Sequence, residues 1–188
     1  MPATRYPGGV TVTIRPARTG DAAALASVAA VTFPLACPPH TTEEAKAHFI
    51  ATVLSPERFA EYVTDPSRRV LIAEDETGKA IGYTMVIVGE PADEDVRRAI
   101  RVRPTAELSK CYVLPGHHGE GVAGRLMVAS VSAAADAGAA GMWLGVNEEN
   151  ARAQRFYGKH GFEHVGSKRF LVGERWEDDW VMERSPIS

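Results

Sequence analysis

The chain has 188 residues, 45% of them hydrophobic and 24% charged, with a formal net charge of −3. That length and composition predict one domain over residues 1–188 with a sizeable core, and the slightly acidic balance argues against a nucleic-acid partner. Cys37 and Cys111 form no CxxC pair and no metal-ligand spacing, which suits reduced thiols; no signal-peptide pattern is visible, and the longest apolar run, residues 22–31, is too short to cross a bilayer, so a cytoplasmic protein without membrane contact is expected.

Residues 1–9 read as a loose tail, and 10–15 alternate as a strand does. Asp21 is placed to cap a helix running to about Val31, and the three prolines of 33–39 predict irregular chain beyond it. Thr41-Thr42-Glu43-Glu44 opens a second helix with an acidic first turn. Ser55-Pro56-Glu57 opens a third, proline being welcome at the first helical position. Apolar runs at 70–74 and 81–88, joined by Asp75-Glu76-Thr77-Gly78-Lys79, predict a hairpin. The polar stretch 89–104 predicts a loop or short surface helix, and 107–114 a strand. A helix is expected over 121–138, with Val122, Leu126, Ala129 and Ala133 on its apolar stripe and Arg125, Ser132 and Asp136 on another. A short buried strand follows at 142–146. Asn150 caps a helix that Gly161 ends, and 162–172 with 179–182 close the chain as a hairpin around Gly173. The result is mixed α/β, antiparallel in its first half with a βαβ crossover in its second.

The glycine-rich loop in that crossover, Gly116-His117-His118-Gly119-Glu120-Gly121-Val122-Ala123-Gly124, invites three phosphate-loop readings. A Walker A loop needs Lys and then Ser or Thr after its last glycine, where Val122 and Ala123 stand. A dinucleotide fingerprint fits the literal G-x-G-x-x-G and an acid at Glu148. However, residues 115–118 separate strand from glycine, and too few residues follow Glu148 for the remaining parallel strands of such a fold. In the third, a glycine-rich loop closes its backbone N–H groups on a pyrophosphate, at the positive end of the helix that follows; small residues at 121 and 123 leave room for that approach.

The stretch from Leu114 to Ala123 resembles the acetyl-CoA loop of the GNAT N-acetyltransferases, Arg/Gln-x-x-Gly-x-Gly/Ala, with His118 standing where Arg or Gln is usual. The opening segment 13–25, the hairpin return Ile81-Gly82-Tyr83 and the segment from Asn150 through Phe156-Tyr157 to Gly161-Phe162 are similar to that family as well, in the same order. The resemblance covers about residues 12–184. It implies a mixed, mostly antiparallel central sheet flanked by helices with a βαβ acetyl-CoA-binding core. It further implies acetyl-CoA as co-substrate, no metal, and direct attack by an amine in a ternary complex.

Four chemical requirements follow from that reaction: a placed thioester, a deprotonated amine, a donor to the developing oxyanion and a proton for the leaving thiolate. Tyr157 is the candidate acid, since a tyrosine is protonated at neutral pH; packing helix to sheet is its alternative role. Asn150 is explained as a helix cap, and the resemblance also gives it a bond to the cofactor. Cys111, Tyr112 and Val113 would offer backbone groups to the pantetheine as an added strand does, while His118, Gly119, Glu120, Gly121, Val122, Ala123 and Gly124 would form the pyrophosphate loop. Cys111 itself reads as a small buried hydrophobe rather than a nucleophile. Glu107 is the candidate base or a structural glutamate; the family often has a glutamate two positions further on, where this chain has Ser109. His160 and His164 share no helix face across Gly161, and His117-His118 has no third ligand nearby, so no metal site is expected.

The segments 142–150 and 164–173 are similar to the bacterial PaiA-like branch, which implies a polyamine or other small primary amine as acceptor. Glu43, Glu44, Glu57 and Glu61 could line a cationic acceptor's groove or simply face solvent. Trp176 and Trp180 could border the acceptor or pack a homodimer. Two alternatives stay open: a protein or peptide N-acetyltransferase, and an acetyl-CoA-binding module without turnover.

Overall fold

A computed structural model of the chain describes residues 12–117, 121–172 and 175–186. The expected tail at 1–9, the loop residues His118, Gly119 and Glu120, and Gly173 lie outside the described residues. The strands are β1 (Thr13–Pro16), β2 (Arg68–Glu74), β3 (Ala80–Val88), β4 (Thr105–Val113), β5 (Gly141–Asn147), β6 (Glu163–Val172) and β7 (Arg175–Arg184). They form one sheet in the order β1-β2-β3-β4-β5-β7-β6, with each pairing antiparallel except β4 with β5.

The helices are α1 (Ala22–Ala36), α2 (Glu43–Val53), α3 (Pro56–Thr64), α4 (Glu94–Ala99), α5 (Val122–Asp136) and α6 (Ala151–Lys159). Their starts are written in the sequence. Thr42 accepts the Ala45 N–H at 3.2 Å, Ser55 the Arg58 N–H at 3.3 Å and Asn150 the Ala153 N–H at 3.0 Å, each satisfying a donor the first turn leaves open. Asp93 does the same for α4, the short helix in the polar stretch, accepting from Asp95 at 2.8 Å.

Helices cover both faces of the sheet. On one face α1, α2 and α3 pack Leu25, Phe33 and Phe59 against Val70, Ile72, Tyr83 and Met85, and α4 packs Val96 and Ile100 against Trp143 and Val181. On the other, Met127, Val131 and Ala134 of α5 meet Val86, Leu108, Leu144 and Val146, with Phe156 and Tyr157 of α6 against the same cluster, and Leu126 meets Leu71, Ala73 and Val113. Each fully buried large side chain here contributes about 1.5–3 kcal/mol relative to exposure.

Three expectations, two on α1 and one on α5, are corrected. Helix α1 runs through Pro34 to Ala36 instead of breaking at Phe33. Pro34 sits in the last turn, where it forfeits one backbone bond, and Phe33 is held by burial and by stacking on Phe49 at 4.4 Å between ring centres. The buried stripe of α5 is also rotated from the expected one. Met127, Ser130, Val131 and Ala134 are buried with Val122 and Leu126, while Ala129 and Ala133 are only half-buried. Ser130 can be there because its hydroxyl lies 2.7 Å from that of Thr84 and 2.8 Å from the Leu126 carbonyl. Thr19–Ala36 is apolar and long enough to span a bilayer by length and composition alone; Leu25, Val28 and Phe33 from it belong to the core.

Asp21 stands at the start of α1 without capping it. Its carboxylate instead takes both terminal nitrogens of Arg15, at 2.7 and 2.9 Å, and the Arg18 N–H at 2.7 Å. Arg15 also holds Glu74 at 2.6 and 3.0 Å, tying β1, β2 and the helix start together. The bidentate Arg15 contact holds the Asp21 carboxyl down at about 2. A carboxylate with a depressed folded pKa contributes stability above its ordinary value near 4, and that stability disappears as pH falls through the folded value. Asp21→Asn is therefore expected to cost on the order of 1–2 kcal/mol at neutral pH. The loss should shrink toward zero at about pH 2, measured by denaturant unfolding of both proteins.

Candidate active site

Parallel pairing between β4 and β5 lasts three rows, Thr105 with Gly141, Ala106 with Met142 and Glu107 with Trp143, and then stops. β4 continues to Val113 along β3, and β5 continues to Asn147 along β7. The two strands part, and each leaves a backbone edge toward the other without a strand partner among the described residues. Just past the parting β4 carries a bulge: Met85 pairs with Lys110 and Val86 with Leu108, so Ser109 is the extra residue. In a regular strand, residues three apart point to opposite faces. The bulge turns Glu107 and Lys110 onto the same face, the one Tyr112 shares with Tyr83 and Met85.

On that face lies a cleft of about 320 Å³. Its lining includes Glu107, Lys110 and Tyr112 of β4, Gly145 and Asn147 of β5, Lys168 of β6 and Asp179 of β7, with Phe33 and Cys37 at the end of α1 and Phe49 of α2 opposite. Gly145 makes room for the charged pair of strands beside it. A Cβ there would stand 2.5 Å from Lys168 Cε and 3.3 Å from Asp179 Oδ2, residues that face each other across β6 and β7. Burial pushes the Glu107 carboxyl above its ordinary range, opposed by Lys110, Lys168 and Arg68. Burial also pulls the Lys110 ammonium down, opposed by Glu107.

A second cleft, of about 280 Å³, is lined by Leu35 of α1, Val113 of β4, Ala123 of α5 and Arg152 and Phe156 of α6. The two clefts share Ala36, Cys111, Tyr112, Asn150, Ala153 and Tyr157. Tyr157 thus stands where they meet. Burial raises its hydroxyl well above the ordinary tyrosine value, so it keeps its proton at any physiological pH. Burial likewise pushes the Cys111 thiol up to about 12, which leaves it a thiol and not a thiolate nucleophile.

The start of α5 borders the second cleft through Ala123. Gly121 precedes the helix with φ +75°, a conformation that favours glycine, and no side chain caps it. The first-turn N–H groups of Val122, Ala123 and Gly124 therefore lack a side-chain acceptor from the cap position. Such a start, beside an open strand edge, fits an anionic group followed by an extended arm.

Of the residues singled out in the sequence, Glu107, Cys111, Tyr112, Asn150 and Tyr157 converge on the clefts, with Val113 and Ala123 in the second. Val122 has its side chain in the core, leaving only its backbone available. Glu43, Glu44, Glu57 and Glu61 are exposed on α2 and α3, two of them bonded to Lys46 and Arg58 at 2.7 Å, and none lines the first cleft. Trp176 is exposed and Trp180 stacks on His164 at 4.3 Å; neither lines either cleft. The sequence reading passed over Lys110, Asn147, Lys168 and Asp179. Lys110 sits in the one strand already marked, whereas the others meet only through the pairing of β5, β6 and β7.

The description "Acetyltransferase (GNAT) family" matches residues 33–162. Proteins of Mycobacterium tuberculosis and Mycobacterium bovis, named as uncharacterized N-acetyltransferases, are 50% identical over 167 residues, 89% of this chain and 99% of theirs. Among solved structures, the PaiA N-acetyltransferase of Thermoplasma acidophilum in complex with coenzyme A superposes with a TM-score of 0.73 at 19% identity, covering 93% of this chain and 99% of that one. A chimera of spermidine N-acetyltransferase SpeG from Vibrio cholerae and hSSAT gives 0.65 at 20% identity, covering 93% and 95%. The chain belongs to the GNAT family of N-acetyltransferases, acyltransferases that draw on acetyl-CoA.

Proposed function

We propose that this chain transfers an acetyl group from acetyl-CoA to the primary amine of a small molecule by direct attack in a ternary complex. The observation that carries the proposal is the meeting of two clefts at Tyr157, beside the gap where β4 and β5 part. The N–H groups at the start of α5, with Gly121 in its left-handed turn, would hold the pyrophosphate. The open edge of β4 at Cys111, Tyr112 and Val113 would hold the pantetheine arm, and Asn150 borders both clefts beside it. His118, Gly119 and Glu120 complete the proposed phosphate loop.

Acetyl-CoA supplies the activated thioester, and the chain's own groups do the rest. Glu107 takes the proton that the attacking nitrogen must lose, directly or through water. A backbone N–H of β4 meets the charge that develops on the carbonyl oxygen. As the new C–N bond forms and the C–S bond breaks, Tyr157 gives its hydroxyl proton to the departing sulfur, and solvent restores it. Cys111 and Cys37 also line the first cleft, but burial raises both thiols. That favours direct attack by the amine over an acetylated cysteine intermediate.

Spermidine, named in the SpeG neighbour, is the first acceptor to try. Free thiol released from acetyl-CoA by the purified protein, over a panel of primary amines, tests the proposal. Cofactor binding without release from any amine would leave a non-catalytic module instead. Tyr157→Phe is expected to lower kcat by about 100-fold or more while CoA affinity by calorimetry stays within a few-fold. An unchanged kcat would remove Tyr157 from the acid's role.

Glu107 gives a second expectation, with a sign fixed by its environment. A base works in its deprotonated form, so kcat/KM should fall as pH falls through the Glu107 pKa. Burial places that fall above the ordinary glutamate value of about 4.3. Glu107→Gln should lose this acidic limb together with most of the rate, read from a pH profile of thiol release. A limb that persists in the variant belongs to another group.

A further inference from the structure

Resting on the acetyltransferase proposal above, the geometry of the first cleft speaks to the class of acceptor it takes. The bulge at Ser109 sets Glu107 and Lys110 side by side on the cleft face of the sheet. Lys110 is a lysine held among groups that satisfy it poorly. Its ammonium reaches the Ser109 carbonyl at 3.4 Å and the Ser109 hydroxyl at 3.3 Å, both long for a charged donor, and no carboxylate lies within ion-pair distance among the described residues. Lys168 shares the cleft and Arg68 lies close enough to act on the same field. A desolvated cation in this setting is stabilised by an anion that arrives with the ligand.

The walls narrow the class further. The stacked rings of Phe33 and Phe49 and the side chain of Cys37 form an apolar flank opposite the charged floor. A cleft of about 320 Å³ is at the small end of ligand pockets. A polyamine would bring further ammonium groups to a floor that already holds Lys110 and Lys168, with only Glu107 and Asp179 of opposite sign there, since Glu43, Glu44, Glu57 and Glu61 are not in the cleft.

We infer that the acceptor is a small amine that also carries an acidic group and an apolar body, an amino-acid-like zwitterion. Its amine faces Glu107, its acidic group pairs with Lys110, and its apolar part lies against Phe33 and Phe49. Lys110 is a specificity residue in this arrangement, fixing which amine is presented and not taking part in proton transfer.

Matched pairs that differ only by a carboxylate test this: phenylalanine against phenethylamine, leucine against isoamylamine and lysine against cadaverine, with spermidine alongside. Thiol release is followed with the full chain at saturating acetyl-CoA. The expected result is a kcat/KM at least about tenfold higher for the acid in the best pair than for its decarboxylated partner. In Lys110→Met that ratio collapses by about tenfold or more, through KM, and Lys110→Arg recovers part of it. CoA affinity in each variant reports that the fold is intact. Spermidine or a bare amine used as well as the acids, or an equal loss for both members of a pair in Lys110→Met, overturns the zwitterion and leaves the acetyltransferase proposal standing. Silence with every amine overturns both.

Discussion

The parting of β4 from β5 after Glu107 and Trp143 is the constraint on which the rest of this molecule turns. A parallel pair that stopped early in an ordinary sheet would strand backbone donors and acceptors, each costing about 1–3 kcal/mol if left buried and unmet. Here β3 and β7 hold the outer edges of the two diverging strands in place. The inner edges are left to line clefts instead of a core. The sheet tolerates the gap because both faces are packed beside it, by Leu108, Leu144 and Val146 under α5 and by Tyr83 and Met85 under α1 and α3. Stability is supplied by the flanks, and the opening between them is where ligand backbone can replace a missing strand.

The bulge at Ser109 and the glycine at 145 are the two local devices that give this opening its chemistry. One adds a residue and the other removes a side chain. Without the extra residue, Glu107 and Lys110 would project to opposite faces, and one of the two charges would enter the apolar layer under α5. Without the bare Gly145, the Lys168 stem would be pushed aside. The bulge places both of its charges where water is scarce, which raises Glu107 and lowers Lys110 at the same time. Sites that tune ionisation in this way trade stability for function, and the Arg15, Asp21 and Glu74 network at the far edge of the sheet is a purely structural counterpart.

Much of this was legible in the sequence, and the reasons differ by element. Asn150 before α6, Ser55-Pro56 before α3 and the Asp75–Lys79 turn are local signals whose side chains bond within a few residues of themselves. Glu107, Cys111, Tyr112 and Tyr157, singled out in the sequence, line one cleft because one strand and one helix carry them. Pro34 misled because its local cost is outweighed by the burial of Phe33, which depends on Phe49 from another helix. Lys110 was missed because an unbroken alternation along β4 puts it on the wrong face, and nothing in the pattern announces a bulge. Lys168, Asp179 and Gly145 come from three strands that meet only in the folded sheet. The carboxylates of α2 and α3 erred in the other direction, since an acidic first turn is satisfied by the helix dipole and by Lys46 without any ligand.

The two clefts also divide the labour of the proposed reaction between the faces of the sheet. Glu107 and Lys110 project with Tyr83 and Met85 toward α1 and α2, whereas Tyr157 packs with Phe162 and the cluster under α5. A proton leaving the amine and a proton reaching the sulfur would then travel on opposite sides of the gap. The same desolvation acts at both ends. It raises a carboxylate so that it is a stronger base, and it raises a phenol and a thiol so that both keep their protons. Cys111, which lines the cleft with Tyr157, keeps its proton in the same way, so the proposed reaction has no thiolate there to compete for the acetyl group. One physical effect, the removal of water from a split sheet, sets the base, the acid and the bystander in the roles proposed for them.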